Sequence, residues 1–133
     1  MNHSRLTPEK ALTVRAGIEL DVFIFEYVFD QEIDTEEWKI SANATSRQIP
    51  SFSKRAEASK ILMIRMFADE PFQMIIERGN RWFNDAVEKG FILPGNEIPL
   101  WTVMGQGLTS HGRTYEEAIA KLAIQFKMKG VIA

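Results

Sequence analysis

The sequence predicts an α+β fold: two N-terminal helices, a three-stranded antiparallel meander and a C-terminal helix, arranged as a layered α/β/α-like sandwich. Three observations carry this. Near the C-terminus, Thr114 and Glu117 form an S/T-x-x-E capping box, in which side chains at both ends of the first turn satisfy free backbone donors. Behind it Ala118, Ile119, Leu122, Ala123 and Phe126 recur at helical spacing, an apolar stripe that needs a covering layer. Upstream, Thr7-Pro8-Glu9 opens another helix, and short β-branched and aromatic runs broken by Gly and Pro lie between the two.

The bulk numbers fit one domain spanning residues 1–133, with 45% hydrophobic and 26% charged residues, enough to bury a core without staples. Sixteen basic against 18 acidic residues leave a net charge of -2, so no overall field draws the chain to nucleic acid or to an acidic membrane. Cysteine is absent, which removes disulfides, thiol nucleophiles and thiolate metal sites. Residues 1–5 have no apolar signal core behind them, and the longest apolar run, Ile61-Leu62-Met63-Ile64, is too short to span a bilayer. The expectation is a cytoplasmic protein with no membrane partner.

Helix one starts at Thr7 as N-cap with Pro8 at the first helical position, and runs to about Phe29. Leu12, Ala16, Leu20, Phe23 and Tyr27 form its main stripe, and Ile18, Val22, Phe25 and Phe29 a second one on nearly the opposite side. A helix apolar on two sides is either sandwiched in its own domain or covered by another molecule. On that ground Ile18, Val22, Phe25 and Phe29 are the candidate self-association surface, since monomers seldom expose so large a patch. Residues 30–53 lose periodicity. Asp34, Glu36 and Glu37 read as a solvated acidic loop, Trp38-Lys39-Ile40 as a short strand, and 43–48 as loop.

Ser53 is the expected N-cap of helix two, from Lys54 to about Ala68, whose second half is apolar almost all round. Residues 72–88 keep helical time, yet Gly79-Asn80 also divides them into two runs that suit a hairpin. The hairpin is the preferred reading and the helix its alternative; Asp85 on the apolar side counts against the hairpin. Pro94, Gly95, Asn96 and Pro99 mark a long loop, Leu100 to Met104 a third strand, and Gly105-Gln106-Gly107 its end. The last helix runs from Thr114 to Lys129, with Gly130 able to close it.

Ala16-Gly17-Ile18-Glu19-Leu20-Asp21 with Glu26 and Val28, Pro50-Ser51-Phe52-Ser53, Trp82, Trp101, and Thr114 followed by Glu116-Glu117-Ala118-Ile119 resemble the pattern of the phage ABA-sandwich domain, a family of small bacteriophage and prophage proteins. The resemblance implies helix, helix, three-stranded meander, helix, and supports the hairpin over residues 72–88. That family has no assigned catalytic activity, so the resemblance implies no catalytic residue. The implied role is a phage-encoded binding protein in the infected host cell. It would associate with itself and with a host or phage protein, one form being a modulator or inhibitor of a host system.

The sharpest motif-like string is 107–114, where Gly107, Gly112, Arg113 and Thr114 echo the phosphate-loop spacing G-x-x-x-x-G-K-[ST] with Arg in place of Lys. Arg is a poor substitute for that compact charge, and no strand follows to bring a magnesium-binding acid. A weaker reading lets His111, Arg113 and the helix-start amides hold a phosphate or nucleotide without hydrolysis. Against it, the glycines are a turn, Thr114 a cap and His111 a solvated loop residue. Ser110-His111 lacks an orienting acid and makes no catalytic pair. His3 and His111 have no partner at ligand spacing, so neither metal nor cofactor is expected. Lys54, Arg55, Lys60 and Arg65, with Arg47 before them, form a modest basic set for nucleic acid. The acids Glu116 and Glu117 at the last helix start disfavour that reading.

Overall fold

A computed structural model describes residues 6–31, 49–68, 72–79, 81–91 and 100–132. They form helices α1 (Pro8–Ala11), α2 (Ile18–Tyr27), α3 (Ala56–Phe67), α4 (Phe83–Glu88) and α5 (Tyr115–Met128), with strands β1 (Ile75–Arg78), β2 (Trp101–Gly105) and β3 (Leu108–Gly112). The class is α+β, and the antiparallel sheet runs β1-β2-β3. Trp38-Lys39-Ile40, the acids at 34–37, Asn80 and the loop at 92–99 lie outside the described residues.

Helix α5 is the centre of the molecule. Thr114 caps it, its Oγ1 accepting from Glu117 N at 3.1 Å, and it ends at Gly130, which takes φ 73°, a conformation glycine adopts without penalty. The expected stripe of Ala118, Ile119, Leu122, Ala123 and Phe126 is fully buried, but so are Glu117, Ala120, Lys121 and Ile124. The helix is thus covered on every side along its middle turns, with the sheet below it and α1, α2 and α3 packed around it.

The sheet has two differently clad faces, as period-two alternation requires. Thr102 pairs with His111 and Glu77 with Thr102, so the three share a face; α4 covers its His111 end through Asp85, and Trp82 Nε1 donates to Glu77 Oε2 at 2.8 Å. The opposite face carries Val103 into the large core with Leu122, Phe126 and Leu62. Trp101 meets Tyr115 edge-on there at 6.0 Å. Helices on both faces give the layered sandwich.

Several expected boundaries are corrected. Helix one is two helices: the chain leaves helical geometry after Ala11 and resumes at Ile18. Leu12 and Ala16 therefore precede α2, and Leu12 packs against both the large core and the cluster of Phe91 and Leu100. The second stripe is covered from within the chain. Val22 is buried against Ile49, with Ile18 and Phe25 packed on that pair, and Phe29 stacks on Phe52 at 5.2 Å. Residues 49–53 cross the side of α2 that carries this stripe, so Ile18, Val22, Phe25 and Phe29 give no ground for self-association.

The hairpin is also displaced. Residues 72–88 are half strand and half helix: β1 pairs with β2, not with the run after Gly79, and 83–88 coil into α4. The helix lets Ala86 bury beside Phe91 and Leu100 while Asp85 reaches a polar partner; a strand would have left that acid on an apolar face. The true hairpin is β2–β3, closed by Gln106 and Gly107 between the paired Gly105 and Leu108. Their φ values of 50° and 77° are the positive pair of a two-residue type I′ turn, whose twist suits the flanking strands. Lastly α3 starts at Ala56 with Arg55 as N-cap and no side-chain cap, because Ser53 is used elsewhere.

Leu122 fills the core from the middle of α5. Leu122→Ala is expected to cost about 2–5 kcal/mol of stability, read as a lowered urea midpoint; a midpoint equal to that of the wild type would place the stripe outside the core.

Candidate functional site

The residues of the candidate anion loop are built into the fold. Gly107 is in the hairpin turn and 108–112 are strand β3, so no loop wraps a ligand. A Cβ at Gly112 would lie 2.7 Å from the backbone nitrogen of Ala118 and 2.9 Å from Glu117 Cβ, so its glycine serves close packing of strand on helix. The Glu117 carboxylate already occupies this corner. Its Oε1 accepts from Arg113 N at 2.8 Å and its Oε2 from Ala16 N at 2.7 Å, while Arg113 Nη1 stands 3.9 Å away. The Thr114 half of the expected capping box forms, but its acid accepts from residues 16 and 113 and not from the N-cap amide.

His111 is fully buried, not solvated. Its Nε2 lies 2.9 Å from Asp85 Oδ2 and its Nδ1 2.9 Å from Thr102 Oγ1, with Phe91 edge-on at 5.5 Å. Lys89 holds Asp85 from outside at 3.2 Å. Burial lowers the imidazole pKa, outweighing the hydrogen bond and charge of Asp85. Burial would raise Asp85, but its bonds to His111 and Lys89 prevail and lower it. An ionised Asp85 can only accept, so a neutral His111 carries its proton on Nε2, and its Nδ1 accepts from the Thr102 hydroxyl. Carboxylate, imidazole and hydroxyl stand in the order of a catalytic triad. The hydroxyl is nevertheless no usable nucleophile, because Thr102 is 1% exposed in the central strand. The relay fastens α4 to the sheet. Asp85 is the orienting acid that Ser110-His111 lacked in the sequence, and strand pairing brings Thr102 rather than Ser110 to the ring.

Two further buried charges are structural. Lys121 Nζ donates to Phe91 O at 3.4 Å and lies 3.9 Å from Glu117 Oε1; burial pulls its pKa down to about 8 against the attraction of Glu117. Asp21 Oδ1 accepts from Ser53 Oγ at 2.7 Å and from Ser53 N at 2.9 Å. Burial raises its carboxyl to about 6 despite those bonds. Ser53 Oγ in turn accepts from Gly17 N at 3.0 Å, which is why it caps α2's entry rather than α3.

Among the described residues, the outer side of α3 is one surface that stays available. Ala58, Ser59, Leu62 and Met66 face the core, while Glu57, Lys60, Ile61 and Ile64 face out, with Lys54 and Arg55 exposed just before the helix. Ile61 is 42% and Ile64 70% exposed. Of the basic set, Lys54, Arg55 and Lys60 share this surface, Arg65 is half-buried, and Arg47 lies outside the described residues. The sequence flags the apolar second half of this helix without saying which of its sides the core takes.

No family model, no curated protein and no solved structure matches this chain. Among the described residues no group of three or more His, Asp or Glu is placed to hold a metal ion, and no helix is long and apolar enough to cross a membrane.

The pH response follows from Asp21. Below about pH 4, near the unfolded carboxyl pKa, it is protonated whether folded or not. As pH rises toward 6 the unfolded chain ionises while the folded chain stays protonated, so this group withdraws stability over that window and no more above it. Equilibrium unfolding should therefore show Asp21→Asn gaining on the wild type between those pH values. A difference constant from acid to neutral pH would rule out Asp21 as the source.

Proposed function

We propose that this chain works by binding another protein, and that the outer side of α3 is the surface it uses. The observation that carries the reading is the 70% exposure of Ile64, beside Ile61, on a helix whose opposite side is locked in the core. Residues three apart on a helix are neighbours, so the pair forms a continuous apolar spot. Lys54, Arg55 and Lys60 surround its N-terminal end, with Glu57 as the nearby acid. The complementary partner is an amphipathic helix with an apolar stripe and acidic flanks, laid along α3.

A binding role also agrees with the interior, where His111, Asp85, Glu117, Lys121 and Asp21 are each tied to a structural partner. The resemblance to small phage proteins supports the same class of role. In that setting the chain is phage-encoded and acts in the host cytoplasm as a modulator or inhibitor of a host protein.

Capture from bacterial lysate, with and without nuclease, tests this by comparing wild type with Ile61→Glu/Ile64→Glu. Both positions are exposed, so the variant should melt within about 0.5 kcal/mol of the wild type, yet lose one specific protein that the wild type retains. Lys54→Glu/Lys60→Glu should weaken retention of the same protein. An identical captured set for all three proteins would sink the reading. Retention abolished by nuclease would instead assign Lys54, Arg55 and Lys60 to nucleic acid.

A further inference from the structure

We infer that β1 is a dimer seam, at which two copies of this chain pair their edge strands antiparallel about a two-fold axis through Ile75. This rests on a different surface from the α3 reading and stands or falls separately.

The backbone sets the geometry. β1 pairs with β2 on one side and, among the described residues, with nothing on the other. Gly79 N donates to Leu100 O at 2.8 Å, continuing the register Arg78↔Trp101. In an antiparallel pair the hydrogen-bonded residues alternate, so Ile75, Glu77 and Gly79 direct their backbone groups at β2. Met74, Ile76 and Arg78 then direct theirs outward, a short template for another strand.

Side chains choose the occupant. Edge strands in soluble proteins are usually blunted by charge, proline or a bulge, whereas β1 leaves Ile75 51% and Ile76 44% exposed. Its other half is already engaged at home: Glu77 accepts from Trp82 Nε1, and Arg78 lies over the Trp101 ring at 5.4 Å. The strand is apolar at 74–76 and charged at 77–78. Outward pairing must set outward-facing residues opposite one another, which leaves few two-fold registers. An axis at Glu77 opposes two carboxylates. An axis at Ile76 places Glu77 against Ile75 of the second copy. An axis at Ile75 sets Ile75 against Ile75 and Met74 against Ile76, and it moves the two Glu77 side chains to opposite ends. Of the three, that register alone sets apolar on apolar across 74–76, and two-fold pairing closes without leaving a growing edge.

The absence of cysteine makes the test direct. At the axis Ile75 and its copy form a non-hydrogen-bonded pair with Cα atoms about 4.5 Å apart, within disulfide reach. Under mild oxidation Ile75→Cys should give a reducible covalent dimer, and Glu77→Cys should not. Wild-type protein should sediment as a dimer. Ile76→Pro, which removes an outward donor but no bond to β2, should sediment as a monomer with its melting curve still cooperative. A wild type that stays monomeric at high concentration overturns the proposal and leaves the edge to a foreign strand. So does cross-linking of Glu77→Cys as fast as Ile75→Cys, or an Ile76→Pro dimer. Ile61→Glu/Ile64→Glu should remain dimeric, which keeps this result separate from the α3 test.

Discussion

The carboxylate of Glu117 holds three parts of the chain in place at once. It sits at the positive end of α5, where it accepts from the backbone of Ala16 and Arg113 and faces Lys121 one turn along. The first contact fixes the segment that leads into α2; the second fixes the exit of β3. Gly112, pressed against Glu117 Cβ, brings strand and helix close enough for this to occur. A buried carboxylate is tolerable only with such partners, and the backbone donors supply them where a solvated capping box would rely on water.

The remaining polar contacts of the interior work the same way, each tying a short element that could not hold itself. α4 is too short to be stable alone, and the Asp85–His111–Thr102 relay pins it to the sheet beside the packing of Ala86 and Phe91. Residues 49–53 lie in neither helix nor strand, and Asp21 with Ser53 fastens them across α2. Apolar burial supplies most of the stabilisation, being roughly proportional to area, but it is non-directional. The directional bonds decide which short segment lies where.

Features set by local chemistry are legible in the sequence, and those set by distant partners are not. The cap, stripe and closing glycine of α5 all lie within its own residues, and β2 is bounded by clear turn signals. The β2–β3 hairpin is hidden because Gln106 occupies a positive-φ position where Asn or Gly is the usual sign, and because its glycines mimic a phosphate loop. The apolar spacing of helix one carries on through residues 12–17, where the break serves Glu117, far away in sequence. Asp85 does register as a misfit on an apolar face, but its partner His111 becomes visible only with the strand register. The outer side of α3 has no signature, because a segment apolar all round does not reveal which side the core will take.

The tight β2–β3 turn has a kinetic consequence. Strands 101–105 and 108–112 and helix 115–128 follow one another with short connections, so their mutual contacts close small loops. β1 and the N-terminal helices must return to this unit from much farther along the chain. Loop closure of that kind comes late in folding. The hairpin and α5 are accordingly the expected nucleus, with α1, α2 and β1 docking onto it afterwards. Mutational mapping of the transition state would then find native contacts concentrated in 101–128 and sparse in 8–27, so lesions at Leu20 or Phe23 would chiefly hasten unfolding, whereas lesions at Val103 or Leu122 would slow folding itself.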